Sequence, residues 1–144
     1  MGIPPFITLE IVTPDRAVIY DEVDEVEIPG SDGYFGVLPG HTPMLAMLNV
    51  GQMWYRKKQE RTYLSIAFGF AEVLPDRVTI LAQIAERAEE IDTARAEAAR
   101  RRAQEELLKS PPGVDIERAR ISLMKSLMRL QVATRARTRS GHGP

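Results

Sequence analysis

The sequence has no cysteine, and among its 144 residues there are two histidines and one tryptophan. Without thiols there can be no disulfide, thiolate metal site or thiol nucleophile, which fits a reducing compartment. The only imidazoles, His41 and His142, form neither an H-E-x-x-H pair nor any other paired ligand spacing, so no metal site is expected. No G-x-S-x-G elbow occurs. Gly30, Gly33 and Gly36 are not followed by Gly-Lys-Ser/Thr, so they are not a Walker A loop. The paired acids Asp21–Glu22 and Asp24–Glu25 read as solvated strand ends, and no catalytic residue is assigned. No apolar run approaches the roughly 20 residues of a spanning helix. The opening MGIPPFITLE lacks the basic start and apolar run of a signal peptide.

What is present falls into two regimes. Up to about Ala85 the hydrophobic period is two. Ile7, Leu9 and Ile11 share one face and Thr8 and Glu10 the other, and Val26 and Ile28 alternate before Pro29–Gly30. MWYRKKQERTYLSI reads as a hairpin turning near Lys57–Glu60, and AFGFAEVLPDRVTILA as another turning at Pro75–Asp76. Many short strands with no intervening helix predict an antiparallel sandwich or barrel. Between the strands, Gly30 to Leu45 (GSDGYFGVLPGHTPML) demands an ordered, irregular path, of the kind that carries binding function on a rigid scaffold. His41 sits in it, either as a turn residue that hydrogen-bonds its own backbone or as a partner contact.

From about Glu89 the period becomes helical. Ile91–Leu108 is rich in alanine, glutamate and arginine. Ser110-Pro111-Pro112-Gly113 breaks the chain, and Asp115 caps a second helix expected to reach about Ala136. That helix carries one apolar stripe of Ile116, Ala119, Leu123, Leu127 and Leu130 and a second of Ile121, Met124, Met128 and Val132. Two stripes suit either one wide core face or two alternative docking surfaces. The predicted divisions are a β-sandwich over 1–87, a helical hairpin over 88–138 and a disordered tail over 139–144.

Net charge is −1, but its distribution is uneven. Residues 118–144 hold seven cations and no acid, a cationic arm suited to a polyanionic partner. In the hairpin, Arg95 and Arg102 lie two turns apart on one face, and Lys125 and Arg129 one turn apart. A fold-back can bring these four together around a phosphate chain. The alternative is a salt-bridged surface with Glu89, Glu97, Glu105 and Glu106.

LEIVTPDR, the loop GSDGYFGVLPGHTPML, YLSIAFGFAEVLPDRVTILA, the run Ile91-Asp92-Thr93-Ala94-Arg95-Ala96 and Leu130-Gln131-Val132-Ala133 together resemble the epsilon subunit of bacterial-type F-type ATP synthase over nearly the full length. The resemblance implies a β-sandwich of about ten strands followed by an antiparallel two-helix hairpin. It implies a non-catalytic central-stalk rotor subunit, coupling c-ring rotation to the catalytic head and inhibiting ATP hydrolysis through the extended hairpin. The implied partners are the gamma subunit, the membrane c-ring and the alpha/beta head, with no nucleic acid. The implied location is peripheral, on the cytoplasmic face of the bacterial inner membrane. Ser31, Tyr34 and His41 map to the c-ring contact, with Tyr34 where an acidic residue can occur. Arg118, Arg120, Lys125 and Arg129 map to the inhibitory helix. No cofactor is implied as required; in some members ATP is a regulatory ligand, and that site maps to Glu86, Ile91, Asp92, Arg95, Ala96, Arg102, Lys125 and Arg129. Lys125 departs from the arginine of nucleotide-binding members. Two rival readings are a module acting mainly as an ATP sensor and an adaptor whose basic arm binds polyanions.

Overall fold

The alternating pattern of the first half is realised as strands in the computed structural model, which describes residues 2–141, with side chains to residue 136. The strands are β1 (Ile7–Val12), β2 (Ala17–Val23), β3 (Glu25–Gly30), β4 (Gly33–Val37), β5 (Met44–Lys57), β6 (Glu60–Leu74) and β7 (Arg77–Arg87). They hydrogen-bond in the order β2-β1-β7-β6-β5-β3-β4. The sheet folds over on itself, so that the edge strand β2 returns toward β5. The Asp24 N–H donates to Arg56 O at 2.8 Å there, and Lys57 Nζ lies 2.9 Å from Asp21 Oδ1. Between the two layers Ile7, Leu9, Ile28, Met53, Ile66 and Ile80 are fully buried. Each such side chain stabilises the unit by about 1.5–3 kcal/mol relative to exposure.

Two details differ from the sequence reading. Among the described residues there are seven strands, not about ten, because β5, β6 and β7 are long enough to serve both layers without a break. The arms YLSI and AFGF are one strand, kinked where Phe68 (φ 59°) and Gly69 (φ 132°) take positive φ. A Cβ on Gly69 would lie 2.0 Å from Leu81 O, so β7 passes too close for any side chain. The sheet is also not wholly antiparallel: β1 pairs in parallel with β7, Leu9 opposite Val78 and Ile11 opposite Ile80. The expected turns are in place, with Lys57 opposite Glu60 and Leu74 opposite Arg77.

The second unit begins at Ala88. A 3-10 turn, Ala88–Glu90, leads into α1 (Thr93–Lys109), and α2 spans Ile116–Gly141. Asp92 caps α1, its carboxylate accepting the Arg95 N–H at 3.0 Å. Ser110, left-handed at φ 42°, ends the helix, its N–H donating to Glu106 O at 2.9 Å. Asp115 caps α2 as its spacing predicts, accepting the Arg118 N–H at 3.2 Å. α2 continues past Ala136, through three positions assigned to the tail. Residues 142–144 of that tail, His142 among them, lie outside the described residues.

The buried seam of the helix pair is not either predicted stripe. Ala96 and Ala103 on α1 and Ala119, Ser126 and Ala133 on α2 are buried, each spaced by seven. Of the two stripes, Ile116, Met124 and Leu127 are exposed, and only Ala119 and Val132 are buried. Small residues let the two backbones approach, which explains why the large apolar positions fall to the sides.

Candidate functional site

The first candidate surface is on the sandwich. Gly30 to Leu45 is less irregular than its composition suggests. Gly30 and Gly33 close a two-residue hairpin over Ser31–Asp32, β4 follows, and only Leu38–Pro43 is free of strand. Ser31 is exposed and tied down, its N–H and Oγ donating to Met47 O at 2.8 and 2.9 Å. Tyr34 is 56% exposed, yet its hydroxyl accepts the Gln52 N–H at 3.2 Å. A Cβ on Gly51 would lie 2.5 Å from Pro29 Cβ and 2.7 Å from that hydroxyl, so the missing side chain makes room for the ring. His41 takes the turn geometry: Nδ1 lies 2.7 Å from Thr42 O, and its N–H donates to Leu38 O at 3.2 Å. Beside the hairpin, Phe35, Met44, Leu45 and Met47 line a groove of about 340 Å³ together with Ser31 and Asp32.

A feature the sequence reading missed continues this groove across the sheet. Met47 stands opposite Phe70, Phe70 opposite Leu81 and Leu81 opposite Val12, one row over four strands. Met47, Phe70 and Leu81 are 62%, 53% and 53% exposed. The next row on the same face is Leu45, Glu72, Thr79 and Glu10. Residues opposite one another share a face, so this is a contiguous apolar strip with an acidic margin, the kind of surface that meets a partner. Its signal was available in Leu81, an apolar residue at an outward position of an alternating strand.

The second candidate is the hairpin. Asp92 is exposed at the α1 cap; Arg95 and Arg102 are exposed; Ile91 and Ala96 are buried; Lys125 and Arg129 are half-buried and already engaged. Arg95, Arg102 and Lys125 each immediately precede a buried seam residue, and Arg129 lies one turn beyond Lys125. In an antiparallel pair those positions run along one side, so all four cations fall on a single flank. Glu86 belongs to β7 in the other unit. The competing salt-bridged surface is partly realised, with Glu97 paired to Arg100 and, at 3.4 Å, to Arg101. The hydrogen bond from Arg100 holds the Glu97 carboxyl below the usual carboxylate range. Those arginines are not among the four. Of the residues assigned to the inhibitory helix, Arg118 is exposed and Arg120 pairs with Glu117 at 3.5 Å. Arg118 shares one face of α2 with Lys125 and Arg129, and only Arg120 turns away from it.

A family model described as the ATP synthase, Delta/Epsilon chain, beta-sandwich domain matches residues 6–88. The corresponding long alpha-helix domain matches residues 89–134. The chain belongs to the ATP synthase delta/epsilon chain family. Among delta/epsilon relatives it is 53% identical over 103 residues to the ATP synthase epsilon chain of Koribacter versatilis, covering 72% of each. It is 49% identical over 127 residues to that of Syntrophobacter fumaroxidans, covering 88% of this chain and 95% of the relative. The delta/epsilon fold also recurs in a chain of the Euglena gracilis mitochondrial ATP synthase OSCP/F1/c-ring structure, with TM-score 0.68 and 22% identity. That likeness covers 97% of this chain and 84% of the other. Among the described residues no helix is long and apolar enough to cross a membrane.

Proposed function

We propose that the chain is a non-catalytic subunit of the central stalk of an F-type ATP synthase. In this reading the sandwich docks on the gamma subunit and the membrane c-ring, and the hairpin restrains ATP hydrolysis by reaching the alpha/beta head. The observation that carries it is the exposed apolar strip of Met47, Phe70 and Leu81 on a rigid sheet, contiguous with the groove beside Ser31 and Tyr34. Such a surface on an ordered scaffold supports stable docking rather than turnover. In this reading contact with the ring falls to Ser31, which lines the groove, to Tyr34 on β4 and to His41 on the loop that leads into β5. The subunit is then held peripherally on the cytoplasmic face of the bacterial membrane by its partners. The hairpin brake is supported by the seam of small residues. Alanine and serine bury little apolar area, so the helices part at modest cost, as a two-state element requires.

Removing the residues after Pro112 and isolating the complex tests both halves. The shortened chain is expected to co-purify with gamma and the c-ring, and hydrolysis by the complex to rise while synthesis persists. Loss of the partners would refute the docking role, and unchanged hydrolysis would refute the brake.

A second reading concerns regulation by ATP through Asp92, Arg95, Arg102, Lys125 and Arg129, supported by the shared flank of the four cations. Lys125 and Arg129 must exchange their present partners for the ligand, and Lys125 offers a point charge rather than a bidentate fork. Arg95→Ala should lower ATP affinity by about tenfold or more, and calorimetry of the full chain at millimolar ATP without heat would remove this reading.

A further inference from the structure

Among the described residues β2 has a strand neighbour on one side only, β1, and its ladder carries an irregularity. Ile19 stands opposite Ile11 and Ala17 opposite Val12, so Val18 falls between the two pairs as a bulge. A bulged residue is left out of the ladder, and its backbone groups must find partners elsewhere. Val18 is buried, where an unmet carbonyl is costly. Its carbonyl is met from across the sandwich. Arg87 Nη2 donates to Val18 O at 2.6 Å, from 69 positions along the chain. Arg87 stands opposite the fully buried Leu64 and two residues after the buried Ala85, so its side chain leaves β7 on the core face. A guanidinium suits this half-buried place because it is weakly hydrated and carries several donors. At the other end of β2, Lys57 reaches Asp21 and the Asp24 N–H reaches Arg56 O. The edge of β2 is therefore closed at both ends without a ladder. Arg87 is also the last residue of β7 and of the sandwich unit, and Ala88 opens the helical unit.

We propose that Arg87 is a positioning residue, a staple that ties the end of β7 to the bulge of β2 and so makes Ala88 the pivot of the helices. A strand end that nothing holds frays, and bending is then spread over several residues. Held by its last side chain, β7 stays ordered as far as Arg87. Changes in φ and ψ are confined to the turn that follows, Ala88–Glu90. The staple follows from the Arg87–Val18 geometry, while the pivot rests on the reading of the hairpin as a brake.

Amide hydrogen exchange on the full-length chain tests the staple. Arg87→Met keeps an apolar stem and removes the guanidinium. Amides of β2 and of the last residues of β7 should then exchange about tenfold faster or more, and those of Met53–Leu64 should change by less than about threefold. Arg87→Lys, with a single ammonium in place of the fork, should fall between. Unchanged protection in β2 would show that Arg87 does not hold the Val18 carbonyl and would overturn the staple. Uniformly faster exchange, Met53–Leu64 included, would make Arg87 a general stabiliser and overturn it equally. If Arg87→Met does not fold, the pattern in Arg87→Lys decides by the same two criteria. The pivot is tested in the assembled complex, with the chain cut after Pro112 run beside it. Arg87→Met should raise ATP hydrolysis by about twofold or more, because a loosened base weakens the restraint. A rise with the cut chain and none with Arg87→Met overturns the pivot and leaves the brake standing. No rise with either removes the brake, and the pivot falls with it.

Discussion

Replacing Gly69 with alanine gives the most exacting test of how the sandwich is built. The added Cβ would sit 2.0 Å from Leu81 O, 2.8 Å from Ala82 Cα and 2.9 Å from Leu81 C, all backbone atoms of the neighbouring strand. No side chain can swing away to relieve the contact, so β6 and β7 must part or the kink must unwind. Overpacking of this kind costs about 1–3 kcal/mol. Holding a non-glycine residue at φ 132° adds about 1–3 kcal/mol more. A central value is about 4 kcal/mol, against the roughly 5–15 kcal/mol that holds a domain together. The readout is built in. Trp54, the single tryptophan, lies in β5 and reports the sandwich, while far-ultraviolet dichroism is dominated by α1 and α2. With a urea slope of about 1–1.5 kcal/mol per molar for a unit of this size, the Trp54 transition should move down by about 3 M. Helical ellipticity should be preserved in native buffer. A shift under about 0.5 M would show that β7 does not pass Gly69 as closely as described.

Gly51→Ala should cost about 1–3 kcal/mol, because the Cβ of the rigid Pro29 ring lies 2.5 Å away and only the Tyr34 hydroxyl, at 2.7 Å, can swing aside. Tyr34→Ala in the same chain should recover part of that loss in a double-mutant cycle. Ser126→Leu should destabilise the hairpin by about 1–3 kcal/mol, since Ser126 is buried in a seam that admits only small residues. Thermal melting of the ellipticity checks it, and an unchanged or raised midpoint would refute the seam. The Glu97 carboxyl has its pKa lowered by its bond to Arg100, so its small contribution is present above the ordinary glutamate range and is lost as pH falls through the lowered value. Glu97→Gln should therefore flatten the acid limb of helicity below about pH 4.3 and leave neutral pH almost unaffected; an identical acid limb in the variant would refute this.

Much of the fold follows from local pattern. The alternation of Ile7, Leu9 and Ile11, the Pro75–Asp76 turn, the Ser110–Gly113 break and the Asp115 cap are all short-range signals, and each appears where it should. The strand count was misjudged because Phe68–Gly69 looks like a boundary in sequence and is a kink in space. The parallel pairing of β1 with β7 joins residues about seventy positions apart, a distance over which no local pattern speaks. The hairpin seam was missed for a different reason. Hydrophobic size drew attention to Leu123, Leu127 and Met128, whereas close approach selected Ala103, Ala119 and Ser126. At the candidate site, the residue types of the flank were legible, but the engagement of Asp92 and the burial of Ile91 were not.

The parallel ladder between β1 and β7 also determines when the sandwich can exist. β1 is flanked by β2 on one side and by the last strand on the other, so the first strand to be synthesised waits for the last before its second edge is satisfied. Closing so long a loop is a slow, non-local event. Once Arg87 is available, every strand has its neighbours and nothing in the ladder requires residues beyond it. The helices are thus free to take up or release their own arrangement without leaving an open strand behind.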